Sequence, residues 1–324
     1  MRILITGGMG YIGGRLAQQL HQSGRHAVCI ATRSSGVRQV PWLPQVQVQH
    51  INWTSASELR KLCDGVDVIA HLAGVNALDS AADPAMAYEF NVVATARLVQ
   101  AAIQVGVRRF LYLSTAHVYG APLQGEINER LCPFPVDPYA ISHRAAEDIV
   151  RAANAAGKLE GLAVRVSNTF GAPAHVAANC WMLLVNDLCR QAVLNRKVVL
   201  NSSGQQFRDF VPMQVTCAAL EHLIEVRGSM LVEGLFNIGG SWSVRVIDVA
   251  NRVVLQAENL LGSKLKLQRL LDDADSAPAS LNYDATRICI SGFSMDAHAY
   301  IDKEILQLLE FCKLHRSELQ RGSF

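Results

Sequence analysis

The stretch Arg2-Ile3-Leu4-Ile5-Thr6-Gly7-Gly8-Met9-Gly10-Tyr11-Ile12-Gly13 decides how this chain is read. Arg2 to Thr6 is a short, largely aliphatic run, the pattern of a strand covered on both faces. Ile12, Leu16 and Leu20 then recur at i, i+4 and i+8, which predicts an amphipathic helix. Between the two, Gly7, Gly10 and Gly13 form G-x-x-G-x-x-G, a spacing variant of the dinucleotide fingerprint. Glycines allow a tight turn, and they let backbone N–H groups approach a pyrophosphate at the helix N-terminus. The strand before and the helix after supply the context this motif needs. Gly7, Gly10, Tyr11, Ile12 and Gly13 are therefore assigned to a dinucleotide cofactor.

The alternation continues beyond this turn. Arg2–Thr6, Ala27–Ala31, Val46–His50, Asp67–His71, Arg109–Leu113 and Leu162–Val166 are strand candidates rich in Val, Ile and Leu. Asp83-Pro84 opens a long helix towards Gly106, and Asp137-Pro138 opens another over 139–156 that Gly157 ends. This predicts an α/β fold with a doubly wound parallel sheet. After residue 167 the pattern loosens. Helices near 178–195, 212–226, 243–260 and 299–313 are separated by polar segments, with Asp272–Ser280 as a surface loop. The expected layout is a dinucleotide-binding domain of 1–166 plus about 211–240, and a smaller, mixed substrate-binding lobe of 167–210 plus 241–324. A length of 324 residues suits two such units at roughly 150 residues each.

Composition narrows the function classes. Half of the residues are apolar and 18% are charged, which excludes a disordered chain. Thirty basic against 28 acidic residues leave a net charge of +2, so neither nucleic acid nor an anionic membrane is expected as partner. The longest apolar runs, such as Cys180 to Val185, fall far short of the roughly 20 residues that span a bilayer. The glycine turn follows Met1 too closely for a signal peptide, so a cytoplasmic location is expected. The eight cysteines never pair as C-x-x-C, and no His/Cys/Asp cluster has ligand spacing. Reduced thiols and no metal are expected.

The second strand informs the choice of cofactor. NAD sites usually carry a carboxylate about 20 residues after the glycines, bonded to the ribose 2′-hydroxyl. Here the strand ends Ile30-Ala31-Thr32-Arg33-Ser34, with no carboxylate. Arg33 beside that ribose suits a 2′-phosphate, so NADP is favoured and NAD is the alternative. A solvated surface arginine is the plainer reading of the same residue.

Further motifs follow in order: His71-Leu72-Ala73-Gly74, Ser114-Thr115-Ala116-His117-Val118-Tyr119-Gly120, Tyr139-Ala140-Ile141-Ser142-His143, Arg165-Val166-Ser167-Asn168-Thr169-Phe170-Gly171, Arg208-Asp209-Phe210-Val211 and Phe236-Asn237-Ile238-Gly239. Together they resemble the extended short-chain dehydrogenase/reductase family, in its nucleotide-sugar epimerase/dehydratase branch, over nearly the whole chain. The resemblance implies that Thr115 bonds the reacting sugar oxygen, that Tyr139 transfers its proton and that Asn91 supports the site. It implies further cofactor contacts from Asn52, Leu72, Ala73, Gly74, Tyr139 and His143, and contacts from Asn168 and Arg208 to a nucleotide-diphosphate sugar. His71 is expected to buttress the cofactor. A homodimer through helices 84–105 and 139–156 is also implied.

Three departures stand out. The family's lysine, four residues after the tyrosine, is His143 here; none of the seven lysines is near, and Arg144 at i+5 points away. The dehydratase branch's Thr-Asp-Glu is Thr115-Ala116-His117, which disfavours 4,6-dehydration. The acidic residue usual after R-D-x-x-x-V is missing from Val211-Pro212-Met213-Gln214-Val215. The expected function is an NAD(P)-dependent nucleotide-sugar epimerase acting at C4, with His143 among its catalytic residues. An NADPH-dependent 4-keto-sugar reductase is one alternative. A catalytically weak NADP(H)-binding sensor or assembly protein is another.

Overall fold

Alternation along Arg2–Thr6 sends Ile3 and Ile5 into one core and Leu4 into the other. Such a strand is central and covered twice. In the computed structural model, which describes residues 1–227, 233–270 and 279–321, it lies inside a seven-stranded sheet. The order is Leu235–Ile238, Glu160–Val166, Arg109–Thr115, Val68–His71, Arg2–Thr6, Ala27–Thr32 and Gln47–His50, and every pair is parallel. The chain runs outward from Arg2–Thr6 to one edge, then returns to Val68–His71 on its other side. That reversal is a topological switch point, where α/β sheets open a crevice at the strand ends. The glycine turn sits there.

Helices Tyr11–Gln22 and Met213–Glu225 cover one face through Leu16, Leu20, Leu220 and Leu223. Helices Ala56–Cys63, Ala94–Val105 and Pro138–Ala155 cover the other through Leu59, Leu98, Ala146 and Val150. Each buried leucine contributes about 1.5–3 kcal/mol. Three small sheets accompany the large one. Phe207–Pro212 pairs with Asn168–Phe170 and Ser243–Arg245, Lys197–Leu200 with Lys266–Arg269, and Gly125–Ile127 with Leu281–Tyr283. A further core joins Phe170, Trp181, Leu188, Val249, Ile305 and Leu309. The fold is thus α/β and doubly wound, with smaller mixed sheets contributed mainly by the C-terminal half.

Some elements differ from expectation. The single helix over 84–105 is an α-turn at Pro84–Tyr88, a π-turn at Glu89–Val93 and an α-helix at Ala94–Val105. The π-turn carries Asn91, which is buried. Helical periodicity in sequence gives no signal for one inserted residue. The helix expected near 178–195 starts only at Leu184, because buried Trp181 donates from Nε1 to Val176 O at 3.0 Å and holds a loop upstream. Of the loop expected at Asp272–Ser280, residues 271–278 lie outside the described residues. Among the described residues no helix is long and apolar enough to cross a membrane, and all eight cysteines are free.

Candidate active site

Strand register aligns Thr6 with His71 and His71 with Tyr112, across three neighbouring strands. Thr95 Oγ1 donates to Asn91 O at 2.6 Å, so it accepts from His71 Nε2 at 2.8 Å. His71 Nδ1 is then left to accept from Thr6 Oγ1 at 2.5 Å. Burial, and secondarily His143, drives the His71 pKa down to about 3, so the ring is neutral. Asn91 closes the lattice: its Oδ1 accepts from Val75 N at 2.8 Å and its Nδ2 donates to Ser142 Oγ at 2.9 Å. His71 and Asn91 are thus structural braces beneath the strand ends.

Above them opens a cavity of about 710 Å³. Gly7, Gly10, Tyr11, Ile12, Gly13, Arg33, Leu72, Gly74, Thr115, Tyr139, His143, Asn168 and Arg208 all line it. Asn52, Ala73 and Asn91 do not. The Asn52 side chain organises its own loop, accepting from Thr54 N at 3.1 Å and donating to Glu58 at 3.1 Å. Ala73 is turned to the sheet, its N–H donating to Thr6 Oγ1 at 3.4 Å. Tyr11 lines the cavity, but its hydroxyl is engaged elsewhere, near Gly171 O at 3.0 Å and Asn186 Oδ1 at 3.3 Å.

The glycine turn fits a dinucleotide. Gly7 has φ +71°, and a Cβ there would lie 2.5 Å from the Leu72 carbonyl carbon. A Cβ on Gly13 would lie 2.2 Å from Gly7 O. Gly10 caps helix Tyr11–Gln22 without a side chain, so nothing from the cap residue covers the first N–H groups. Arg33 lies over the Phe90 ring, 4.6 Å from its centroid, with no ion-pair partner among the described residues.

The candidate reactive side chains come from two elements. Asp137 caps the helix Pro138–Ala155, accepting from Ala140 N at 2.9 Å, and the helix then presents Tyr139 and His143 one turn apart. Their rings are 4.5 Å apart. The strand Arg109–Thr115 ends at Thr115, whose hydroxyl accepts from His117 N at 3.2 Å and which shares the cavity lining with Tyr139. Burial raises the Tyr139 pKa, and the neighbouring Thr115 hydroxyl opposes this in part. Burial, with His117 second, lowers the His143 pKa to about 4. Arg144 points away and pairs with Asp148. Arg208 has no ion-pair partner among the described residues, while Asn168 Nδ2 donates to Asp209 O at 2.8 Å.

These observations meet the comparisons with known proteins. Residues 3–239 match the model of the family described as NAD dependent epimerase/dehydratase. The chain belongs to this family. It is 30% identical, over 258 residues, to a UDP-glucose 4-epimerase of Azospirillum brasilense, covering 74% of each chain. It is 29% identical, over 197 residues, to a mouse dTDP-D-glucose 4,6-dehydratase, covering 58% of this chain and 51% of that one. In fold it resembles the UDP-glucuronic acid 4-epimerase of Bacillus cereus, solved with UDP-glucuronic acid and NAD. That match has a TM-score of 0.79 at 20% identity, over 97% of this chain and 99% of the other.

Within this epimerase/dehydratase family, the missing acidic residue after R-D-x-x-x-V now has a physical account. Helix Met213–Glu225 has no side-chain cap of its own. Glu304, from helix Ile301–Leu314, supplies one: its Oε2 accepts from Gln214 N at 3.1 Å, while its Oε1 lies against Gly171. Sequence spacing also hid a buried pair, Glu147 with Arg165 at 2.6 Å, which fixes Ser114 beneath the site through a 2.5 Å bond. His26, Glu221 and Glu225 come within ligand distance of one another, a cluster with no sequence signature. Arg25 already pairs with both carboxylates, at 2.6 and 3.0 Å, so their charge is met without a metal.

Proposed function

We propose that this member of the family is a nucleotide-sugar epimerase acting at ring carbon C4 through NAD(P). The observation that carries the reading is that Thr115 and Tyr139 line one cavity with the glycine turn and Arg208. Bound nicotinamide supplies hydride acceptance and return at a carbinol carbon. Tyr139 takes the proton from the C4 hydroxyl and returns it to the same oxygen once the keto-sugar has presented its other face. Thr115 holds that oxygen against the phenol. Arg208, without an ion-pair partner among the described residues, reads the diphosphate oxygens with a planar fork, and Asn168 lines the same cavity. Residues 167–210 and 241–324 would form the substrate-binding lobe, and 1–166 with about 211–240 the dinucleotide domain. Helices Ala94–Val105 and Pro138–Ala155 would mediate a homodimer. Among the described residues Asp79 is the only carboxylate on the cavity lining, and Asn76 Nδ2 donates to it at 2.7 Å. That disfavours elimination of water.

Arg33 favours a second reading, net reduction of a 4-keto-sugar with NADPH, because its guanidinium is free to meet a 2′-phosphate. Incubating the protein with UDP-hexoses and with NAD⁺ or NADPH, while following absorbance at the nicotinamide band and separating the products, decides between them. Epimerisation yields a new sugar with no net change in nicotinamide. Reduction consumes NADPH stoichiometrically with a keto-sugar. Bound cofactor with no turnover on the whole panel would leave a binding protein and overturn both.

A further inference from the structure

His143 reaches the cavity with a defined hydrogen-bonding state, and a residue without a place in the reaction defines it. The ring is nine-tenths buried, and its Nδ1 lies 2.8 Å from Tyr112 Oη. Tyr112 is buried in the middle of strand Arg109–Thr115, and His143 is the only hydrogen-bond partner of its hydroxyl among the described residues. A buried phenol must place its proton on an acceptor, and Nδ1 is the acceptor at hand. If Nδ1 carried the proton instead, the phenol's own hydrogen would be left buried without a partner. The opposite ring edge turns to the cavity: a Cβ on Gly74 would sit 3.7 Å from both Cε1 and Nε2. Nε2 has no partner among the described residues.

We propose that Tyr112 is a positioning residue that locks His143 in the Nε2–H tautomer, making it a neutral hydrogen-bond donor to the bound dinucleotide where the family has a lysine. The proposal rests on the cofactor reading above. The fixed donor supplies the directional part of a lysine's role without its charge. Burial keeps the ring neutral and the Tyr112 phenol protonated, so the arrangement holds across the neutral range. The neighbouring titratable groups are Tyr139 and His117 on the cavity side and His71 beneath, and none of them bonds Nδ1. Helix geometry alone offers no such lock, because an imidazole with both nitrogens unengaged interchanges tautomers freely.

The first test needs no cofactor. In ¹⁵N-histidine-labelled protein at pH 7, long-range ¹H–¹⁵N correlation should show His143, assigned by its loss in His143→Ala, as the Nε2–H form. An Nδ1–H form or an imidazolium would overturn the proposal, whether or not the protein binds NAD(P). Next, Tyr112→Phe should give a tautomer mixture and weaken cofactor binding about three- to tenfold, with thermal unfolding followed as a control. An unchanged tautomer in that variant would also refute the lock. Finally, in the His143→Lys background the same Tyr112→Phe change should alter cofactor affinity less than twofold. An equal loss in both backgrounds would make Tyr112 merely structural. Failure to bind any dinucleotide while the tautomer is Nε2–H would instead break the cofactor reading and leave the lock standing.

Discussion

The two halves of the cavity lining are built on opposite principles. At the glycine turn, main chain meets main chain, and the decisive atoms are ones that must be absent: Cβ at Gly7 and Gly13. Around Tyr139 the decisive atoms are side chains delivered by different elements, with Tyr112 bonded to His143 and the His143 ring against that of Tyr139. The first half is fixed by exclusion, and the backbone atoms that decide it do not titrate. The second is fixed by hydrogen bonds between titratable groups, so acid, base and single-atom changes should act on it selectively.

The largest effect should follow from removing one oxygen. Tyr139→Phe is expected to lower kcat roughly 10³-fold, about 4 kcal/mol, while nucleotide-sugar affinity by calorimetry changes less than twofold. Retained turnover would move the proton to another group. At the other half, Gly13→Ala forces a methyl against Gly7 O and should destabilise the fold by about 3 kcal/mol in urea denaturation, equally at pH 7 and pH 5.5. A pH-dependent loss there would blur the distinction between the halves.

Acid sharpens it. His71 and His143 are neutral in the fold, with pKa values about 3 and about 4, against about 6.5 unfolded. Their pKa values are depressed, so the stability they contribute is present above pH 6.5 and is lost as pH falls towards 4. Together they should remove about 2.5 kcal/mol between pH 7 and pH 5.5, and His143→Gln should halve that slope. At Arg33, loss of the guanidinium should weaken NADP(H) binding by about 2 kcal/mol and NAD(H) by little. Equal losses would place Arg33 away from the 2′-phosphate. The smallest effect concerns the rate profile. The Tyr139 pKa is raised by burial, so its base form, and with it the rate, should increase from neutral towards alkaline pH. His143→Lys should shift that limb to lower pH by about one unit, or 1.4 kcal/mol.

The half governed by exclusion was largely legible in sequence, because missing side chains at Gly7, Gly10 and Gly13 are visible as letters. So were the strands around it, since a strand covered on both faces leaves a run of aliphatics. Tyr139 and His143 could be placed on one helix face by Asp137-Pro138 and a spacing of four. What was not legible depends on contacts between distant residues. Asn91 faces inward through a π-turn that leaves no periodic trace. Asn52 is held by Thr54 and Glu58, and Ala73 by Thr6, contacts that no motif specifies. Tyr112 resembles any aromatic strand residue until its hydroxyl is seen 2.8 Å from His143. The small strands, such as Asn168–Phe170 and Leu281–Tyr283, are three residues each, too short for a pattern.

Glu304 has a consequence for biosynthesis. Its carboxylate accepts from the backbone at Gln214 and lies against Gly171, which accepts the hydroxyl of Tyr11 from the first helix. A nascent chain therefore completes the sheet strands early but lacks this fastening until residue 304 has left the ribosome. Until then helix Met213–Glu225 begins uncapped, and Gly171, which anchors Tyr11, lacks the carboxylate packed against it. Domains fold as they emerge, N-terminal parts first, so the glycine turn forms early and is secured late. The nascent protein would thus fold its glycine turn well before the contact that fastens it becomes available.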